Sequence, residues 1–326
     1  MKAILLVDIG NPKSTTLADI HDYLQCIYSD AFILPEFAGQ QPRYTLDQAT
    51  ASTLQCIDAS SVLQTIVETI QTHWQWPATY AYRYGEPSIG AGIQHLLQET
   101  NGRLDQLHVI PLFPQRTAVA SQAIQTAIQH YIQAFKIPVS IRVQKPYIAT
   151  LAYQQAIANQ LQTYDATATL IAGFHGSNAE LIKKMDTSRI TCLSKPNCCE
   201  NPTPVSNGCS RRQAYALCRA INPKIQPVFL DTLFTNSDTD LYSGIEVLDH
   251  VNHTHVIGCL PGWITPSMIQ QLDGHYLDTW IQSKTPAAYT RLAHVSEAMQ
   301  YSVIASSIGL TQQSVLGTEN GNLVQC

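Results

Sequence analysis

Short apolar runs alternate with longer segments of helical periodicity along most of this chain. The runs predict strands at 2–9, 76–84, 106–113, 139–143, 167–174, 225–232 and 254–260. Apolar residues three or four positions apart predict helices at 17–27, 60–74, 89–100, 118–135, 148–163, 210–221 and 287–307, with an irregular loop at 29–53. Strands that alternate with helices indicate βαβ units, and therefore parallel sheets flanked by helices.

The strand and helix pattern begins again near residue 145. We therefore predict an α/β fold of two similar Rossmann-like halves, each a parallel sheet flanked by helices, at 1–145 and 146–310, with a cleft between them. Residues 311–326 are predicted to form a polar tail.

Composition and charge narrow the class of protein. Of the 326 residues, 45% are hydrophobic and only 13% are charged, which is typical of a globular protein. A net charge of -5 argues against binding to a nucleic-acid backbone. The chain has no apolar run long enough for a membrane helix, and its first strand reaches Asp8 too early for a signal peptide. We expect a cytoplasmic protein, with contact to a membrane surface left open.

Polar side chains collect where the predicted strands end. The apolar run 170–174 stops at His175, and comparable loops carrying Gly, Pro and functional side chains lie at 10–13, 83–87, 114–117, 175–178 and 261–263. Right-handed βαβ connections bring the carboxyl ends of parallel strands to one edge, where ligands bind. We expect these loops to converge on a cleft, although Gly and Pro also terminate strands elsewhere. The glycine-rich signatures of nucleotide sites and the G-x-S-x-G elbow of hydrolases are absent.

Five segments resemble, in order, the motifs of ferrochelatases. V-D-I-G-N-P at 7–12 resembles V-N-L-G-T-P, and Y-R-Y-G-E-P-S-I at 82–89 resembles M-R-Y-G-N-P-S-I. I-P-L-F-P-Q at 110–115 is similar to P-L-Y-P-Q, G-F-H-G at 173–176 to S-F-H-G, and L-P-G-W at 260–263 to C-P-G-F. The resemblance covers nearly the whole chain. It implies a lyase of haem biosynthesis that inserts Fe(II) into a porphyrin, protoporphyrin IX or coproporphyrin.

The resemblance also implies roles for individual residues. His175 matches the family's histidine, and a neutral imidazole accepts the pyrrole protons that the metal displaces. The residues expected to contact the porphyrin are Asn11, Arg83, Tyr84, Phe113, Arg116 and Trp263, with Tyr82 as a further wall. Arginines would hold propionates and aromatic rings would line the cleft; structural ion pairs and core packing are the alternatives.

One carboxylate of the family pattern is missing. The motif D-C-L-E-T-x-x-E follows P-G-F, and its first glutamate, which faces the histidine, falls on Ile269 here. The nearest carboxylate is Asp273, which we expect to complete the acid–base pair, with Glu246 as an alternative. The second hypothesis is a non-catalytic relative that binds porphyrin or haem, or senses iron through its cysteines.

Cysteines cluster in the loop 191–210. Cys192, Cys198, Cys199 and Cys209 are the best set of metal ligands there, since four thiolates suit Zn(II) or an iron–sulfur cluster. Some ferrochelatases carry a 2Fe–2S cluster, and the resemblance favours that interpretation; free thiols are the alternative. A second group, His250, His253 and His255, is a weaker metal-site candidate, because loop histidines are usually solvated.

Overall fold

The computed structural model describes residues 1–30, 48–54, 59–117, 121–161, 167–176, 209–230, 255–284 and 288–293, and residues 182, 183, 185, 186, 194, 198, 300 and 302–304. Its strands form two four-stranded sheets in which every pair of neighbours is parallel. The predicted α/β architecture is therefore confirmed.

The first sheet has the strand order β2-β1-β3-β4. Its strands are β1 (Lys2–Asp8), β2 (Ala78–Tyr82), β3 (Gln106–Pro111) and β4 (Ser140–Val143). The helices between them are α1 (Leu17–Tyr28), α2 (Gln48–Thr53), α3 (Ala59–Trp74), α4 (Ile89–Glu99) and α5 (Ala123–Ala134). Helices on both faces leave no exposed side for β1, which explains its uninterrupted apolar run.

The second sheet repeats this topology with the order β6-β5-β7-β8. Its strands are β5 (Thr169–His175), β6 (Gln226–Leu230), β7 (His255–Cys259) and β8 (Ala288–Arg291), with helices α6 (Leu151–Leu161), α7 (Ser210–Ile221) and α8 (Met268–Lys284). None of the helices in the described ranges combines the length and the apolarity needed to cross a membrane.

Alternate side chains of β1 enter different cores. Leu5 and Val7 pack in a cluster with α1, α4 and α5, whereas Ile4 and Leu6 pack in a cluster with α3. The second cluster also contains Phe174 of the second sheet. The period-two alternation of a strand therefore links the central strand of the first sheet to the core of the second.

Three features differ from the predictions. The helix predicted from 287 is wrong over β8, whose backbone pairs with β7, because the hydrogen bonds of a neighbouring strand override the helical propensity of a short segment. The loop predicted at 29–53 contains α2 at its end. No helix is predicted at α8, because its apolar residues do not form a single stripe: Ile269 and Leu272 pack in one core cluster, and Ile281 packs in another.

Candidate active site at the carboxyl ends of the sheets

Loops from the two sheets meet at the carboxyl ends of their strands. Asn11, after β1, accepts a hydrogen bond through Oδ1 from the backbone N–H of Met268 at the start of α8, with an N···O distance of 2.7 Å. Phe113, after β3, lies with its ring centroid 5.9 Å from that of Trp263, after β7. The predicted convergence of strand-end loops is therefore observed for these elements.

His175 and Asp273 are brought together at this junction. His175 is the last residue of β5, and its Nδ1 lies 3.2 Å from Oδ1 of Asp273 in α8. The His175 side chain is 20% exposed, whereas the Asp273 side chain is fully buried. The carboxylate accepts from Nδ1–H, so Nε2 is the ring nitrogen that can accept a proton. The His175 ring is therefore partly accessible to solvent, and a buried carboxylate orients it.

Trp263 completes the arrangement. Its indole Nε1–H donates to Oδ2 of Asp273 at 2.8 Å, so the two carboxylate oxygens accept from different rings. The Trp263 ring also lies edge-on to the His175 ring, with centroids 5.9 Å apart. Trp263 is itself buried, at 3% exposed.

A glycine in β5 allows α8 to approach the sheet. A Cβ on Gly173 would lie 2.9 Å from methyl carbons of Leu230 and Leu260, and 3.2 Å from one of Leu277 in α8. These distances are shorter than ordinary carbon–carbon contacts. The absence of a side chain therefore lets α8 pack directly over β5, one turn beyond Asp273. His175 follows Gly173 by two residues on the same strand.

A second buried carboxylate, Asp8, lies at the carboxyl end of β1. It is 1% exposed, and its Oδ1 accepts from the Ile9 backbone N–H at 2.7 Å. Its Oδ2 has no hydrogen-bond partner within the described residues. The hydroxyl of Thr265, on the loop after β7, faces the carboxyl closely enough to lower its pKa without meeting hydrogen-bond geometry. Burial is the larger effect and raises the pKa of Asp8 to about 6.

Sequence reasoning noted Asp8 only as an early acid. Its position after a run of buried apolar residues was the available signal, since such a side chain ends at the same sheet edge as the ligand-binding loops.

Arg83 and Tyr84 are joined to Asp30. The Arg83 guanidinium forms an ion pair with Asp30 and lies 4.8 Å from the Tyr84 ring centroid. The Tyr84 hydroxyl donates to the same carboxylate at 2.8 Å. Burial raises the pKa of Tyr84 well above its usual value, so the phenol remains a donor. The sequence predicts either a propionate contact or a structural ion pair for Arg83, and the ion pair is present in the structure.

The loop after β3 is attached to the start of α7. Gln115 donates through Nε2 to the backbone oxygen of Ser210 at 2.7 Å, and the backbone N–H of Arg116 donates to Oε1 of Gln213 at 3.0 Å. The Arg116 residue is half-buried. These bonds hold Arg116 where the two halves meet.

The cysteine site falls largely outside the described residues. Cys198 and Cys209 are described, the first half-buried and the second buried, whereas Cys192 and Cys199 are not. Within the part of the chain that the structure covers, no group of three or more His, Cys, Asp and Glu residues could hold a metal ion. Glu246, His250 and His253 also lie outside that part, while His255 contacts Thr290 through Nε2 at 3.0 Å.

Comparison with known families identifies the chain. The family model described as Ferrochelatase matches residues 1–221. This chain belongs to the ferrochelatase family. The match includes His175 and ends with α7, so Trp263 and Asp273 lie beyond it.

Curated relatives are similar at low identity. The chain is 27% identical over 232 residues to a ferrochelatase of Azotobacter vinelandii, a match that covers 65% of this chain and 66% of that protein. It is 24% identical over 316 residues to a ferrochelatase of Porphyromonas gingivalis, covering 87% of this chain and 79% of that protein. The first match thus spans about two thirds of its relative.

Solved structures share the fold. SirB from Bacillus subtilis with Fe3+ superposes with a TM-score of 0.53 at 12% identity, covering 96% of this chain and 97% of SirB. The sirohydrochlorin chelatase SirB in complex with cobalt gives a TM-score of 0.52 at 13% identity and covers 97% of both chains. The fold of the ferrochelatase family member described here is therefore chelatase-like.

Proposed function

We propose that this protein inserts Fe(II) into a porphyrin, protoporphyrin IX or coproporphyrin, with His175 as the group that accepts the pyrrole protons. The observation that carries the proposal is the pairing of an accessible histidine at the end of β5 with a fully buried carboxylate. Membership of the ferrochelatase family supports the reaction class.

The reaction requires a base and no redox step. Fe(II) enters as a dication and displaces the two N–H protons of the macrocycle, whose nitrogens keep their electron pairs and bind the metal. His175 Nε2 accepts one proton, and the imidazolium is stabilised by Asp273 on Nδ1. Release of that proton to water restores the base for the second transfer. The partial exposure of His175 fits such a cycle.

The substrate contacts remain proposals at the positions predicted from the sequence. Asn11, Arg83 and Arg116 are half-buried and are proposed to meet the porphyrin and its propionates; Arg116 is the better propionate ligand, because Arg83 already pairs with Asp30. Tyr84, Phe113 and Trp263 are buried, so we propose that their rings shape the site.

Removing the proposed base tests the function. An anaerobic assay follows the loss of porphyrin fluorescence on addition of Fe(II) to the wild-type protein and to His175→Ala. We expect kcat to fall by roughly 100-fold or more, the scale of general-base catalysis. His95→Ala is the matched control, since the His95 side chain is 60% exposed on α4 and its salt-bridge partner is Glu99. Undiminished turnover in His175→Ala would refute the assigned base.

A non-catalytic, porphyrin- or haem-binding relative is the second candidate. Ile269 occupies the position of the family's glutamate and is 1% exposed, so that position supplies no acid or base. Binding of porphyrin without metal insertion by the wild-type protein would favour this candidate and exclude the first.

The cysteine-loop site stays a prediction. A 2Fe–2S cluster or Zn(II) on Cys192, Cys198, Cys199 and Cys209 would supply a structural or iron-sensing element outside the insertion chemistry. Visible absorption and metal analysis of the purified protein test it. A colourless protein without bound iron or zinc would remove this site.

A further inference from the structure

Asp273 is shared by an imidazole and an indole. His175 Nδ1 lies 3.2 Å from Oδ1, and Trp263 Nε1 lies 2.8 Å from Oδ2. All three groups are on different elements: the end of β5, the loop after β7 and the second turn of α8. The carboxylate therefore links two rings that the chain places far apart in sequence.

The indole N–H of Trp263 makes a hydrogen bond that the packing of the ring does not require. The Trp263 ring is edge-on to Phe113 at 5.9 Å, at an interplanar angle of 64°, and a phenyl ring could make this contact equally well. The N–H instead points at a fully buried carboxylate oxygen. A buried carboxylate needs donors on its oxygens, because water does not reach it to replace them.

Resting on the proposed function, we propose that Trp263 is a positioning residue: its indole N–H orients the Asp273 carboxylate, which in turn presents His175 Nε2 to the substrate. This chain would then use a His–Asp–Trp arrangement on one side of the site in place of a second carboxylate at position 269. In the segment L-P-G-W at 260–263, tryptophan occupies the position that phenylalanine has in the similar motif C-P-G-F.

The physical effect of the indole is directional. With Oδ2 held by Trp263, the carboxylate plane is fixed and Oδ1 faces the imidazole. Without the N–H, Oδ2 is a buried acceptor lacking this donor, and the carboxylate plane is no longer fixed, so Oδ1 does not face Nδ1–H in one defined direction. His175 would be less often in the tautomer that accepts on Nε2.

Kinetics of Trp263→Phe test the proposal. The variant keeps an aromatic ring and removes the donor together with part of the indole volume, so a control with the same change in volume is needed. We expect kcat to fall about tenfold with KM unchanged, the scale of one lost hydrogen bond to a buried charge. Trp280→Phe is the matched control, since it makes the same replacement in α8, where the indole N–H donates to no group among the described residues. A wild-type kcat in Trp263→Phe, or an equal fall of kcat in Trp280→Phe, would overturn the proposal.

A spectroscopic readout does not depend on catalysis. The chain has four tryptophans, and the indole N–H resonance of Trp263 is assigned as the one lost in Trp263→Phe. We expect Asp273→Asn to move this resonance upfield, because a neutral acceptor replaces an ionised one, and to leave the other three in place. An unmoved Trp263 resonance overturns the proposal. Absence of metal insertion in the wild-type protein would instead refute the proposed function. The indole N–H resonance would still show whether Trp263 donates to Asp273.

Discussion

Replacement of Asp8 by asparagine should stabilise this protein at neutral and alkaline pH. Asp8 is 1% exposed at the end of β1, and burial raises the pKa of its carboxyl to about 6. Among its described neighbours, no positively charged group offsets the burial of this carboxylate. The neighbours that interact with it electrostatically are Tyr23 and Tyr147, and burial raises the pKa of both well above the usual value, so both phenols are uncharged. Asparagine keeps an acceptor for the Ile9 N–H and places a donor near Thr265.

The magnitude follows from the difference between the folded and unfolded pKa. The folded value of about 6 exceeds the usual 3.8 by roughly two pH units, and at about 1.4 kcal/mol per unit the ionised side chain costs about 3 kcal/mol. Because the folded state binds the proton more tightly, this cost is absent below about pH 4. It grows as the pH rises from about 4 to 6, and it is complete above that range.

Urea unfolding at pH 5 and pH 8 measures this effect. We expect the free energy of unfolding of Asp8→Asn to exceed that of the wild-type protein by about 3 kcal/mol at pH 8, and by about half as much at pH 5. Asp22→Asn on the exposed side of α1 is the control and should change neither value appreciably. An Asp8→Asn protein that is less stable at pH 8, or equally stabilised at both pH values, would refute the reasoning.

Two further predictions concern the backbone and the thiols. A Cβ on Gly10 (φ +99°) would lie 2.1 Å from the backbone oxygen of Tyr84, so Gly10→Ala should lower the free energy of unfolding by more than about 3 kcal/mol. Gly102 has φ +74° but open space around it, so Gly102→Ala should lower this free energy by only about 1 kcal/mol. Equal losses in urea titrations would contradict the clash at Gly10. Cys259 is buried and its pKa is raised by burial, so iodoacetamide at pH 8 should alkylate exposed Cys26 in the native protein and Cys259 only after unfolding. Equal labelling rates in peptide mass spectra would exclude this.

The histidine of the site could be found from the sequence because its signal is local. His175 directly follows an apolar run, and a parallel strand delivers its last residue to the ligand-binding edge. Asp273 was selected only as the nearest carboxylate after Ile269. Its contact with His175 depends on the packing of α8 over Gly173, which no local pattern encodes.

Arg83 illustrates the opposite case. The resemblance implied a ligand for propionates, with an ion pair as the alternative, and the guanidinium pairs with Asp30, a residue 53 positions away just after α1. An arginine has the same local sequence in either role. The partner is decided by which elements the fold brings next to each other.

The amino-acid sequence by itself determined the alternation of strands and helices, the parallel sheets and the residue at the end of β5, because these follow from hydrophobic periodicity and backbone hydrogen bonding over short distances. Only the tertiary structure decided that Asp273, 98 residues beyond His175, supports the imidazole and that Trp263 supports the carboxylate. It also decided that Asp8 is buried, since burial depends on the helices and loops that cover a strand end. Hydrogen bonds between side chains depend on distances between elements, and packing sets those distances.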